Sequence, residues 1–347
     1  MSGGVRKLVP RPMRRLAAQL VAEAVGAGVR SRVRRLVRSD NLVIAGPWLG
    51  EVGFELLYWI PFLRWVVETE GLDPKRIIVV SRGGPKSWYR GLGTRYLDVF
   101  DYLNPDDFRR RNEVRRRELG EQKQLRLTIL EREIIERIRR DLDDREIEVL
   151  HPSQMYQVMQ PYWWHHTTAS WVERHTRYAL LAGLSEAPQL KLPESYVAVK
   201  FYFNDCFTAT PANRTFITST LRTLTEHNSV VSLSTGLELD DHGESDLSAM
   251  SHVLTGEQAM TPRNNLALQT EVVARANVFI GTYGGFAYLA PFLGVPTTAV
   301  WSDQRGFNVR HLELIQRALG HVNGAPLDVT EANQGMVSIP RPARVIG

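Results

Sequence analysis

NVFIGTYGGFAYLAPFLGVPTTAVWSD, residues 277–303, is the stretch that decides the fold. It opens with an apolar, β-prone run. Gly284 and Gly285 then start an apolar segment of helical length, and Gly294-Val295-Pro296 turns the chain into a second run, TTAVWS. Two strands joined through a helix run parallel, because a hairpin needs only a short turn. A strand ending in Gly281-Thr282, followed by a helix opening on glycines, leaves main-chain N–H groups at the sheet's end with no Cβ in the way. That arrangement suits an anionic phosphate. Thr282 adds a hydroxyl, Tyr283 a ring to pack on a sugar or base, and Phe286 lies one turn further. The same two glycines serve equally well for tight helix–strand packing, and spacing alone does not choose between these uses.

Outward from this unit the alternation continues. YVAVKFYF (196–203) follows the proline-flanked link APQLKLPES; a helix is predicted at 212–227, a strand at 229–235 and a helix at 265–276. Residues 195–320 thus form one Rossmann-like domain, with 321–347 as a tail. In the first half, NLVIAG (41–46), an apolar helix to about residue 70, RIIVVS (76–81) and a short strand within 96–103 give a second domain over 41–187. Its residues 105–148 are dense in charge with intermittent Leu and Ile, and read as an insertion of one or two helices with a solvated face. HPSQMYQVMQPYWWHHTTASW (151–171) has few signs of regular structure and reads as the wall of a cleft. The expected fold class is α/β, two parallel-sheet domains facing each other.

The net charge of +5 is unevenly placed. Residues 1–40 hold ten Lys/Arg against Glu23 and Asp40, +8 in all, which leaves −3 for the rest. A body of that sign does not bind nucleic acid. The basic segment 12–38 has roughly helical apolar spacing. It suits an anionic membrane surface, or simply a helix packed on the body; Gly26-Ala27-Gly28 interrupts the pattern. No run approaches the ~20 apolar residues of a membrane span, and no secretion signal is legible. Cys206 is the only cysteine. A cytoplasmic protein, at most peripheral on the membrane's inner face, is expected.

Candidate site residues cluster at predicted strand ends. GPWLGEVGFELLYW (46–59) places Gly50, Glu51, Gly53 and Glu55 where a strand meets a helix. KFYFNDCFTATPANR (200–214) offers Lys200 and Arg214 to neutralise a diphosphate, and Asn204 and Asp205 for sugar or nucleotide. Asn213 is alternatively a helix cap and Arg214 merely exposed. SDQRGFNVRHLEL (302–314) adds Asp303, Arg305, Asn308 and His311. Asp240-Asp241-His242 and His165-His166 have poor spacing for a metal site, and no required metal or other cofactor is expected. P-loop, GxGxxG and GxSxG motifs are absent.

The 282–297 run resembles the donor-binding segment of GT-B glycosyltransferases of the heptosyltransferase-like group, which reads roughly D-T-G-L-x-H-L-A-A-A-L-G-x-P-T. Here Tyr288 stands in place of the histidine, and the leading aspartate is absent. Residues 50–63 resemble that group's glycine loop, G-D-x-x-x-x-x-P-A-L. The resemblance implies a GT-B fold and transfer of a sugar from a nucleotide-sugar donor to a hydroxyl of a glycan or lipid-linked acceptor, inverting and without metal. It places the diphosphate on the helix opening at Gly284. The acceptor falls near Gly50, Gly53, Trp163 and His165, with Glu51 or Glu55 as base. Glu51 follows its glycine directly and is preferred; Glu55 keeps the better distance to Pro61. A carboxylate at a helix start is also favourable for its dipole alone. A sugar-nucleotide epimerase or hydrolase, a silent nucleotide-sugar-binding scaffold, and a nucleic-acid module using the arm are the rivals.

Overall fold

The structure is a computed structural model and describes residues 11–119, 124–143, 146–182, 190–237, 243–244 and 253–332. Its first sheet has the order β3-β2-β1-β4, from β1 (Leu42–Ala45), β2 (Ile77–Ser81), β3 (Arg95–Asp98) and β4 (Ile147–Leu150), all parallel. Both faces are covered. Alternate side chains of β1 point to opposite sides: Val43 and Ala45 join one apolar cluster, and Ile44 the other.

The first cluster is closed by one continuous helical run. A short turn, α2 (Val52–Phe54), passes through a π-helical turn, Glu55–Trp59, into α3 (Ile60–Glu68). The helix α1 (Arg11–Arg38) also lies on this side, and Gly26-Ala27-Gly28 does not break it. Ala22, Gly26, Val29 and Val33 form its buried stripe at helical spacing, against α6 (Pro152–Trp163) and α7 (Ala169–Arg174). A Cβ on Gly26 would come within 2.9 Å of the Trp171 ring, so this glycine is a packing residue.

The charged segment is not a solvated insertion. α4 (Pro105–Leu119) and α5 (Ile129–Asp141) cover the sheet's second face, burying Phe108, Leu130, Ile134 and Ile138. The segment ends in β4, an edge strand beside β1. The short strand expected within 96–103 is β3, which begins one residue earlier and ends at Asp98, whose carboxylate accepts from the Phe100 N–H and turns Val99–Asp101 into a 3-10 helix. One further expectation changes. Residues 152–163 are a regular helix with Met155, Tyr156, Met159 and Tyr162 buried, so the cleft wall begins at its end.

The second sheet has the order β12-β11-β10-β5-β7-β9 and is also parallel. It is built from β5 (Val197–Lys200), β7 (Val230–Ser232), β9 (Val253–Thr255), β10 (Val278–Thr282), β11 (Thr297–Trp301) and β12 (Leu327–Glu331). β6 (Tyr202–Phe203) and β8 (Gly243–Glu244) form a small antiparallel pair. The helices α8 (Pro211–Thr225), α9 (Asn265–Ala274), α10 (Gly285–Phe292) and α11 (Val309–Val322) connect the strands. β12 and the end of α11 extend this domain past residue 320 into the expected tail. Most of the loop 237–247, Asp240-Asp241-His242 included, lies outside the described residues, as do 1–10 and 333–347.

Candidate active site

In parallel α/β sheets the loops beyond the strands' carboxyl ends carry ligand sites. Here the loops after β1, β5, β10 and β11 converge on one cavity of about 860 Å³, lined by both domains. Glu51, Gly53, Tyr58 and Trp163 come from the first domain, and Lys200, Gln269, Gly284 and Phe286 are among those from the second.

On the second domain's wall, α10 begins at Gly284 with φ +141°, a conformation that glycine adopts freely. A Cβ there would sit 2.3 Å from the Tyr202 hydroxyl. The helix's first N–H groups have no partner within the helix and face the cavity end of the sheet. Lys200, the last residue of β5, is buried beside them. Its Nζ donates to the Leu233 carbonyl (3.1 Å) and to Gln269 Oε1 (2.8 Å), and it lies 4.8 Å from the Phe286 ring centre. Gln269 in turn donates to the Asn265 carbonyl one turn back. The ammonium is thus anchored to face the cavity from a low-dielectric wall, where its field acts strongly on an anion.

Glu51 lines the same cavity from the first domain; it is half-buried, opens α2 and has an extended backbone with no capping bond from its side chain. Glu55 does not share this position. It is fully buried, with Oε1 accepting from Ser81 Oγ and Tyr89 OH, each at 2.5 Å, and it is absent from the cavity wall. Burial, then the Glu55 charge, pushes the Tyr89 phenol well above its ordinary range. Glu51 stands ahead of the helix in extended backbone, whereas Glu55 opens the π-helical turn and meets Ser81 at the end of β2.

The glycines between the domains serve packing. A Cβ on Gly285 would meet Gly53 N at 3.1 Å, so these two positions let α10 approach α2 backbone to backbone. Gly50 packs on the Trp48 ring, where a Cβ would lie at 2.9 Å, and its carbonyl accepts from Arg82. It does not line the cavity.

Of the other expected donor residues, Tyr283, Asn204, Asn308 and His311 line the cavity. Tyr283 donates its hydroxyl to the Asn308 carbonyl (3.1 Å), and Asn308 Oδ1 caps α11 through the Arg310 and His311 N–H groups. Asn204 Oδ1 is engaged by the Cys206 and Phe207 N–H groups. Three residues are elsewhere. Thr282 is buried and exchanges hydrogen bonds with the Tyr202 backbone; Arg214 is exposed over the Phe203 ring; Asp303 pairs with Arg305. None of the three lines the cavity. Thr282 ends β10, an inner strand buried along its whole length, and Arg214 lies on the exposed side of the first turn of α8.

At the expected acceptor side, Trp163 packs edge-on to Tyr58 and Phe54, and His311 meets both rings from the second domain at 5.4–5.6 Å. His165 is exposed and bonded to Arg310, off the cavity; its neighbour Trp164 is the residue on the wall. Sequence reasoning reached Trp164 only as part of the 151–171 cleft wall, and missed Phe54, Tyr58, Asn265 and Gln269. The last two were legible as an i, i+4 polar pair within NNLALQTEVVA. No group of three or more His, Cys, Asp or Glu side chains placed to hold a metal occurs among the described residues.

No protein-family profile matches the chain, and no curated protein does. Two parallel-sheet lobes facing one cleft is the GT-B arrangement. Among solved structures, the chain is similar to the iron-containing dodecameric glycosyltransferase TibC from enterotoxigenic E. coli H10407, at 13% identity and TM-score 0.36. That match covers 76% of this chain and 58% of the other. It is also similar to a glycosyl transferase family 9 protein from Veillonella parvula DSM 2008 (13%, TM-score 0.41, 87% and 91% covered). A third is UDP-GlcNAc 2-epimerase from Methanocaldococcus jannaschii (10%, TM-score 0.36, 86% and 94% covered).

Proposed function

We propose that this protein is a glycosyltransferase that moves a sugar from a nucleotide-sugar donor to a hydroxyl of a glycan or lipid-linked acceptor. One observation carries the reading: a single cavity lined by Glu51 from one domain and by Lys200 and the amino end of α10 from the other. The donor diphosphate lies against that end and the ammonium, where N–H groups and charge favour an anion. Glu51 takes the proton of the acceptor hydroxyl. The acceptor oxygen bonds to the anomeric carbon as the bond from that carbon to the diphosphate oxygen breaks. The electron pair leaves with the nucleoside diphosphate. One base and one stabilised leaving group suffice for this in-line, inverting displacement.

A thermal-shift screen of UDP-, GDP-, ADP-, CMP- and dTDP-sugars tests the donor half. A ligand at about 100 times its Kd stabilises the protein by about 2.7 kcal/mol. Glu51→Gln then lowers kcat roughly 10²–10⁴-fold while the donor still binds. Isomerised or hydrolysed sugar formed at full rate without any acceptor favours the epimerase or hydrolase reading instead. Loss of all nucleotide-sugar binding removes both.

We further infer that the outer half of α1 lies on an anionic membrane surface. Met13, Leu16, Leu20 and Val21 are exposed there, on the side of the helix away from the Ala22–Gly26–Val29–Val33 stripe. The first 20 residues carry five Lys/Arg and no acid. No described helix is long and apolar enough to cross a membrane, so surface binding is the mode in question. Because Val29 and Val33 belong to the core, point changes test this better than truncation. Full-length protein co-sediments with phosphatidylglycerol vesicles, and Leu16→Asp/Leu20→Asp does not; equal sedimentation removes the idea.

A further inference from the structure

Of eight tryptophans, eleven tyrosines and twelve phenylalanines, only Trp164 is exposed, at 59%. It is also on the cavity wall, beside Trp163. An exposed indole is a standing cost in water, and every other aromatic ring of this chain is at least partly withdrawn from it.

The turn that carries Trp164 is fixed from both domains. Trp164 N–H closes α6 on the Gln160 carbonyl, and the N–H groups of His165, His166 and Thr167 return to the carbonyls of Tyr162 and Pro161. His165 holds a left-handed φ of +59°. From the second domain, Arg310 stacks 4.0 Å from the Tyr162 ring centre, donates to the Thr167 carbonyl and meets His165 Nδ1 at 3.0 Å. The backbone that displays the indole is therefore ordered before any ligand arrives, which lowers the entropy cost of binding.

We propose that Trp164 is a carbohydrate-stacking residue, and that the acceptor is a glycan whose pyranose ring lays its C–H face on the indole. That the ring belongs to an acceptor rests on the glycosyltransferase reading; the stacking itself does not. A pyranose presents polarised C–H groups on one face, and these suit the electron-rich face of an indole. Its hydroxyls, directed to the rim, keep their hydrogen bonds with water. The position favours the acceptor over the nucleotide: Trp164 belongs to the domain of Glu51, whereas Lys200, Gln269 and the start of α10 belong to the other.

Saturation-transfer NMR with cellotetraose, chitotetraose and maltotetraose tests the inference on the full chain. At least one oligosaccharide receives saturation on ring C–H protons from the wild-type protein. Trp164→Ala weakens that binding about tenfold, and Trp164→Phe retains part of it. The side chain is exposed, so both variants fold, as circular dichroism checks. A nucleotide sugar that stabilises the wild type stabilises Trp164→Ala equally. Absence of Trp164-dependent saturation with all three oligosaccharides overturns the proposal. Weakened nucleotide-sugar binding in Trp164→Ala also overturns it and makes the stacked group a nucleobase. Nucleotide-sugar binding without a glycan signal leaves the enzyme reading standing and removes this inference alone; a Trp164-dependent glycan signal without nucleotide-sugar binding does the reverse.

Discussion

Two glutamates four positions apart, on the same short helical run, have different environments. Glu55 is sealed in the core and accepts from two hydroxyls, whereas Glu51 is half-buried on the cavity wall. Replacing Glu55 by Ala leaves Ser81 Oγ and Tyr89 OH without this acceptor. Each buried polar group so orphaned costs about 1–3 kcal/mol. Glu55→Ala is thus expected to lower the urea midpoint markedly, and Glu55→Gln, which keeps an oxygen at the site, to lower it less. Glu51→Gln, an isosteric change at a half-buried position on the cavity wall, lowers the midpoint less than Glu55→Ala. Transfer activity shows the opposite order, with Glu51→Gln the deeper loss. A Glu55→Gln enzyme as inactive as Glu51→Gln, at unchanged stability, would move the base to Glu55. The pair was visible in the sequence, but the choice between its members was not. Spacing locates both at the strand end, and an i, i+4 pair would share a helix face; it is the extended backbone at Glu51, ahead of the helix, that separates them.

At the scale of elements, the charged segment braces the glycine loop. Gln124 accepts from the Leu49 N–H, donates to the Pro47 carbonyl and donates to Glu131 Oε1. Glu131 also closes a capping box with Thr128 and lies 3.3 Å from His151 Nε2. Burial acts to raise the Glu131 pKa, but the hydrogen bonds and charge from His151, with those from Thr128, outweigh it and bring it down to about 2. A carboxylate depressed in the folded state stabilises it above the unfolded pKa, near 4.5, and loses that contribution as pH falls through about 2. The amount is on the order of 3 kcal/mol. Asp98 titrates in the opposite sense, since burial raises it to about 6 and stability falls as pH rises from its ordinary 3.8. The wild-type curve is therefore composite, and the difference between wild type and Glu131→Gln isolates the term. Urea titrations from pH 6 to pH 2 should show wild type losing its advantage between about 4.5 and 2; a constant difference would remove Glu131 as the acid-sensitive brace. The sequence showed this segment's charge but not its role. Leu130, Ile134, Ile135 and Ile138 make a stripe set among arginines and glutamates, with Glu131 buried inside it, and IEVL (147–150) is a half-buried edge strand that also holds a glutamate. The strands of the second sheet's centre, buried on both faces, were legible as unbroken apolar runs. LDVTE (327–331), at the edge, was not.

For the whole molecule, the cavity depends on one domain building the other's wall. The Gly83 carbonyl accepts from Leu266 and Ala267 N–H at the start of α9, and Trp88 Nε1 donates to Thr270 Oγ1 on the same helix (3.0 Å). α9 also carries Gln269, which holds Lys200. No motif announced this seam, because its partners lie about 180 positions apart in the chain. Gly83 has φ +76°, and a Cβ there would sit 2.9 Å from Leu266 Cγ. Gly83→Ala must therefore strain its own turn or push α9 away, at a cost of about 1–3 kcal/mol. Displacement of α9 moves Gln269 and with it the Lys200 ammonium, while Glu51, which belongs to the first domain, stays in place. The expected outcome is a raised Kd for the nucleotide sugar by calorimetry, about tenfold for each 1.4 kcal/mol lost from the phosphate contacts, with kcat at saturating donor changed far less. Gln269→Leu, which removes the hydrogen bond to Lys200 without touching the seam, should raise the same Kd at wild-type cooperativity of unfolding. If Gly83→Ala lowers stability but leaves donor affinity intact, the two domains share an interface without sharing the site, and Lys200 is positioned by its own domain alone.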